Sequence, residues 1–240
     1  MADLAARLSA IDSQIADAAR TAGRDAADIT RIVVTKFHPA SLVRELYGLG
    51  VREVGENRQQ ELEAKRAELE QGSSPDDSTL DGLRWHFIGQ AQTNKAASIR
   101  RNADAVHSID RVKLADSLHR AAAQPGHDVQ SVLDVLVQVN LTDDQGRGGV
   151  APDDALHLAE HILALPSLRL RGVMGVAPLD EAPASAFARL HSVADGIRSL
   201  DSSATWISAG MTGDFAEAIA AGATHLRIGS AITGPRPDRG

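Results

Sequence analysis

The 240-residue chain has no cysteine, which removes disulfides, thiolate zinc sites, iron–sulfur clusters and cysteine nucleophiles together. Aromatic residues are scarce, with four Phe, two Trp and one Tyr, so no platform exists for stacking bases. Basic residues number 25 against 32 acidic ones, a net charge of −7, and such a chain lacks the basic field that nucleic acid demands. No apolar run approaches the roughly 20 residues that span a bilayer. The opening residues 1–20 place Leu4, Leu8, Ile11 and Ile15 at helical spacing among charges, which reads as an amphipathic helix and not as a signal peptide. What remains is 43% hydrophobic and 24% charged, close to the globular averages. A folded cytoplasmic enzyme or binding protein is expected, with neither nucleic acid nor membrane as partner.

Short β-branched runs alternate with alanine-rich amphipathic stretches. The runs are Thr30 to Lys36, Val51 to Val54, Arg84 to Ile88, Ala105 to Ile109, Val132 to Val139, Leu168 to Met174, Thr205 to Ser208 and Thr224 to Ile228. Between them lie helical segments such as Ala40 to Tyr47, Arg58 to Glu70, Arg111 to Ala123, Pro152 to Leu165, Ala184 to Leu200 and Phe215 to Ala221. Strands alternating with helices call for a parallel sheet with crossover connections. Eight such units preceded by an extra helix predict a closed (β/α)8 barrel of the TIM type over residues 1–234, with residues 1–22 as the added helix and 235–240 as a polar tail. An open doubly wound sheet would want a GxGxxG turn after its first strand, where Thr-Lys-Phe-His-Pro stands instead. Gly72 to Gly82 is polar and turn-rich, and reads as a surface loop.

In a barrel, side chains alternate between lumen and exterior, and active sites lie at the C-terminal strand ends. Ile32, Val34 and Lys36 share one face of the first strand. If the apolar pair points inward, so does Lys36, whose amine would then be partly desolvated and suited to Schiff-base chemistry; otherwise it marks a strand end in solvent. After the seventh run comes Gly210-Met211-Thr212-Gly213-Asp214, and after the eighth Gly229-Ser230-Ala231. Glycines followed by a hydroxyl residue and a helix offer N–H donors to a phosphate, at the loops where this fold binds one, or else serve as tight turns. Arg227, between Leu226 and Ile228, would face inward and need an acceptor, either a ligand ring nitrogen or a carboxylate such as Glu53 or Asp110. Amine, phosphate cradle and arginine together suit pyridoxal 5′-phosphate, whose aldehyde, phosphate and ring nitrogen occupy separate corners.

Val33-Val34-Thr35-Lys36, Gly55-Glu56-Asn57, Trp85-His86-Phe87-Ile88-Gly89, Gln92-Thr93-Asn94-Lys95, Ser108-Ile109-Asp110, Gly172-Val173-Met174-Gly175, Gly210 to Asp214 and Arg227 to Ile232 occur in this order. In these motifs the chain resembles the pyridoxal phosphate homeostasis proteins, single-domain barrels related to the N-terminal half of bacterial alanine racemases and lacking the C-terminal β-domain. The resemblance implies that Lys36 carries the cofactor as an internal aldimine. It further implies that Met211, Thr212, Gly229 and Ser230 surround the phosphate, that Arg227 faces the pyridine nitrogen and that Asn57 lines the pocket. Departures from the family pattern fall at Arg58-Gln59, Ala91, Asp144, Arg147, Thr212, Ser230 and Thr233; Thr212 and Ser230 keep a hydroxyl, so the cradle survives them.

Family members resemble one another in binding the cofactor without an established turnover, which implies a role in buffering or delivering it, with cofactor-dependent apoenzymes as recipients, an influence on amino-acid and keto-acid pools, and a monomer or weak homodimer as the assembly. Racemisation needs a second acid–base group. The sole tyrosine, Tyr47, falls in the helix after the first strand, and the chain ends before any β-domain that could cover the site. A cationic arginine at the ring nitrogen also weakens the electron sink. A non-catalytic holder is therefore expected, the alternative being a weak racemase using His86 or His38. The nine scattered histidines form no HExxH pair, and no metal is expected.

Overall fold

The computed structural model describes residues 2–71, 80–123 and 132–236. Strands β1 (Thr30–Val34), β2 (Glu53–Glu56), β3 (Arg84–Phe87), β4 (Ala105–Ile109), β5 (Leu133–Gln138), β6 (Leu168–Met174), β7 (Trp206–Ser208) and β8 (His225–Ile228) follow one another in chain order around a closed parallel barrel. Closure is made by β8 against β1, where Thr30, Arg31, Ile32 and Val33 stand opposite His225, Leu226, Arg227 and Ile228. Around the barrel run α1 (Ala2–Thr21), α2 (Ala40–Gly48), α3 (Gln59–Gln71), α4 (Ala96–Asn102), α5 (Val112–Ala121), α6 (Ala155–Leu163), α7 (Pro183–Leu200), α8 (Phe215–Ala220) and the single turn α9 (Ser230–Thr233). Among the described residues no helix is long and apolar enough to cross a membrane.

The apolar stripe of α1 buries Leu4, Leu8, Ile11 and Ile15 against α8 and α9, each side chain contributing about 1.5–3 kcal/mol. Strand alternation then divides the interior in two. Val33, Val54, Phe87, Val106, Val135, Leu170, Ile207 and Leu226 point outward and join the helices in one continuous core. The lumen holds a separate small cluster of Ala105, Leu136, Met174 and Trp206, the inward pair Ile32 and Val34, and a set of polar side chains. Toward the N-terminal ends of the strands, buried Asp134 accepts from Arg84 Nη2 at 2.9 Å and Arg169 Nε at 2.5 Å, and the guanidiniums of Arg84 and Arg171 lie over the Trp206 ring at 5.4 and 4.5 Å.

Strand boundaries differ from those expected by two residues at the end of the first strand and at both ends of the second, and by one residue at the third, fifth, seventh and eighth. The first strand ends at Val34 and not at Lys36, because Thr35 turns its hydroxyl to Glu56 and Phe37 adopts φ +70°, which no strand residue can do. The second starts at Glu53 and not at Val51, because the Val51 N–H closes the end of α2 on the Leu46 carbonyl and is lost to the ladder. Residues 72–79 of the polar segment before β3, and residues 237–240 of the tail, lie outside the described residues.

Candidate cofactor-binding site

Lys36 sits half-buried in the turn after β1, held by its neighbours on both sides. Thr35 N–H donates to the Gly55 carbonyl at 3.0 Å, its hydroxyl to Glu56 Oε1 at 2.6 Å, and its carbonyl accepts from Lys65 Nζ at 2.8 Å. Phe37 N–H donates to Glu61 Oε2 at 2.8 Å. Glu56 is fully buried against Lys65 at 2.5 Å; burial raises its pKa, and the Lys65 charge and hydrogen bonds from Lys65 and Thr35 oppose that rise. Residues of β2 and α3 thus set the backbone of the lysine turn. The inward pair holds as expected, since Val33 belongs to the outer core and Ile32 packs where a Gly55 side chain would stand.

Arg227 lies in the lumen, 6% exposed. Its Nη1 donates to the Ser208 carbonyl and hydroxyl, each at 2.7 Å, and its Nη2 to the Gly175 carbonyl at 2.8 Å. Neither carboxylate considered as its partner is used, because Glu53 pairs with His86 and Asp110 with Arg111. Burial lowers the arginine pKa to about 10, which leaves it cationic at neutral pH. Among the described residues three of its five N–H hydrogens are engaged, and those of Nε and one on Nη2 are spare.

Gly210 opens the loop after β7 at φ +90°, and a side chain there would come within 2.7 Å of Ala218 Cβ. Glycine is required on both counts. The turn closes through Met211 N–H to Asp214 Oδ1 at 2.6 Å, and the Arg227 N–H reaches the Gly210 carbonyl at 3.0 Å. Met211, Thr212 and Ser230 are exposed at the C-terminal strand ends, and half-buried Gly229 packs on the end of β1 beside Val34. Half-buried Asn57 follows β2, its backbone carbonyl so close to Gly89 that any Cβ there would sit 1.9 Å away. Asn57 Oδ1 is buried with no hydrogen-bond partner among the described residues.

Of the acid–base candidates, Tyr47 lies where expected and His86 loses the role considered for it. Tyr47 lies on α2 with its hydroxyl donating to the Asp81 carbonyl at 2.9 Å. His86 is fully buried with both ring nitrogens engaged, by His107 and Glu53, and so has no free nitrogen for a substrate. His38 is half-exposed, its pKa lowered by burial and then by Lys65. The sequence reading missed the lumenal residues His107 and Ser208. Alternation could have found them, since inward Ala105 puts His107 inward and inward Arg227 calls for a polar neighbour on β7.

The sequence matches the family model described as alanine racemase, N-terminal domain, over residues 7–237. A curated protein of Mycobacterium tuberculosis named pyridoxal phosphate homeostasis protein is 40% identical over 240 residues, covering 98% of this chain and 93% of that one. The chain belongs to the pyridoxal phosphate homeostasis protein family. The Escherichia coli protein of that name is 35% identical over 245 residues, covering 98% of each. The solved structure of PipY from Synechococcus elongatus with PLP bound superposes with a TM-score of 0.79 at 32% identity, covering 96% of this chain and 100% of that one.

Proposed function

We propose that the chain binds pyridoxal 5′-phosphate covalently through Lys36 Nζ and keeps it or hands it on to cofactor-dependent apoenzymes without turning over a substrate. Arg227 carries this reading: among the described residues no carboxylate is hydrogen-bonded to it, Asp214 acting only through its charge, and a buried guanidinium so placed is costly unless a ligand completes its hydrogen bonds, its spare N–H groups suiting the lone pair of a pyridine nitrogen. Asn57 Oδ1 is a second unmet group, an acceptor awaiting a donor. The turns around Met211–Thr212 and Gly229–Ser230 present N–H and hydroxyl donors of the kind that holds a phosphate. The relative that shares this fold at 32% identity with PLP bound supports the same ligand.

When bound, the cofactor supplies an aldehyde electrophile and a ring able to accept electrons. The chain's own residues favour the first property over the second. Lys36 provides the amine that takes the aldehyde. Arg227, being cationic, disfavours a proton on the ring nitrogen and weakens electron withdrawal. A second acid–base group opposite Lys36 finds no support, with Tyr47 turned to Asp81 and His86 engaged at both nitrogens.

The test is a visible spectrum of the protein after loading with pyridoxal 5′-phosphate and removal of unbound cofactor, beside Lys36→Ala treated alike, followed by incubation of the loaded wild type with L-alanine in deuterium oxide. A yellow band in the first and its loss in the variant is the expected result, with no sustained exchange of the alanine α-proton. A band that survives in Lys36→Ala overturns the attachment; multiple-turnover exchange overturns the holder reading.

A further inference from the structure

Behind Arg227 a file of polar side chains crosses the lumen from β8 to β2. Arg227 Nη1 lies 2.7 Å from Ser208 Oγ, Ser208 Oγ 2.9 Å from His107 Nδ1, His107 Nε2 2.8 Å from His86 Nδ1, and His86 Nε2 2.5 Å from Glu53 Oε2. Ser208, His107 and His86 are wholly buried, and only the carboxylate end is partly exposed. Trp206, His225, Arg84 and Arg171 pack around the file. Burial, then the nearby His86, His225, Arg227 and Arg84, holds His107 neutral, its pKa well below 6.5.

The ends dictate the direction of every hydrogen. A guanidinium only donates and a carboxylate only accepts. One assignment satisfies each link in turn: Arg227 donates to Ser208 Oγ, the Ser208 hydroxyl to His107 Nδ1, His107 Nε2–H to His86 Nδ1, and His86 Nε2–H to Glu53. The reverse order would aim both Arg227 and His107 at Ser208 Oγ, and the hydroxyl hydrogen would then have no acceptor among the described residues, in a site without exposure to solvent. The file therefore turns a Ser208 lone pair toward Arg227 and prevents the hydroxyl from rotating its hydrogen against the guanidinium.

We propose that Ser208, His107, His86 and Glu53 are positioning residues that lock the plane of Arg227, so that its spare N–H groups meet the ring nitrogen of the bound cofactor. This rests on the reading of Lys36 and Arg227 given above. Ring-nitrogen recognition is thereby assigned to a one-way chain that passes through β7, β4 and β3 and ends on β2, with no net movement of a proton along it.

The experiment compares wild type, Ser208→Ala and Ser208→Thr for affinity toward pyridoxal 5′-phosphate and toward its 1-deaza analogue, which keeps aldehyde and phosphate but has C–H in place of the ring nitrogen. Nitrogen-15 spectra of the wild-type imidazoles accompany it. Ser208→Ala is expected to weaken the cofactor about tenfold, the scale of one hydrogen bond, and to leave the analogue unchanged, while Ser208→Thr restores the difference. His86 and His107 are expected to carry hydrogen on Nε2. Equal weakening of both ligands, weakening of neither, or hydrogen on His107 Nδ1 overturns the proposal. A wild-type protein that takes up neither ligand overturns the cofactor reading and the positioning role with it, a pattern distinct from loss in Ser208→Ala alone.

Discussion

β1 and β8 are neighbours in the barrel, yet they present their functional side chains in opposite ways. Lys36 stands two residues beyond its strand, half-buried, in a turn whose next residue is held at φ +70°. Arg227 stands within its strand, wholly enclosed, with two carbonyls and a hydroxyl fixing its guanidinium. A group that makes and breaks a covalent bond needs room to move, and a turn supplies it. A group that recognises a ring by hydrogen bonds must already be in position, and a strand backed by a polar lumen supplies that. On the proposed reading, capture and recognition are divided between two adjoining strands, one offering its group from a turn and the other from within the strand.

The sharpest way to break this contrast is to delete each side chain and measure stability. Arg227→Leu strips donors from the Ser208 and Gly175 carbonyls and removes the end of the lumenal file, so urea melts should show a loss of about 3 kcal/mol. Lys36→Ala should cost less than about 0.5 kcal/mol. Comparable losses would erase the distinction.

Acid probes the recognition side next. His107 and His225 are neutral in the fold because burial lowers their pKa values, that of His225 to about 3. The unfolded chain takes up protons on both below about pH 6.5, and the folded one does not. Stability is therefore fully present above that pH and falls as the pH is lowered toward 3, by about 1.4 kcal/mol per pH unit for each histidine. Melts between pH 7 and 5 check this, and a flat profile would show that the lumen admits protons freely.

The smallest effect belongs to the turn. A left-handed residue other than glycine costs about 1–2 kcal/mol, while Phe37 also packs its ring against Arg58 and Arg236 at 5.3 and 4.0 Å. Phe37→Ala loses the ring and keeps the strain; Phe37→Gly loses both. The glycine variant should be the more stable of the two by about 1 kcal/mol, a reversal of the order found in ordinary backbone. Alanine above glycine in thermal melts would mean that the turn relaxes.

The eight-strand barrel was legible because period-two apolar runs survive even where strands are only three or four residues long, as at Trp206–Ser208. The placement of Arg227 was legible for the same reason, since Leu226 and Ile228 declare the outer face. The end of β1 was not, because what stops it is a set of side chains from β2 and α3, Glu56, Glu61 and Lys65, that only folding brings to Thr35 and Phe37. The link from His107 to Ser208 was hidden by distance along the chain and by the register shift between Val106 and Ile109 in the pairing of β4 with β5, which no local pattern announces.

The seam between β1 and β8 has a consequence for synthesis. A ribosome releases the lysine early and the arginine near the end, and the two sides of the pocket meet only when β8, emerging last, zips onto β1. On the proposed reading, a nascent chain therefore has no complete pocket with which to sequester free vitamer until translation has passed the last strand of the ring.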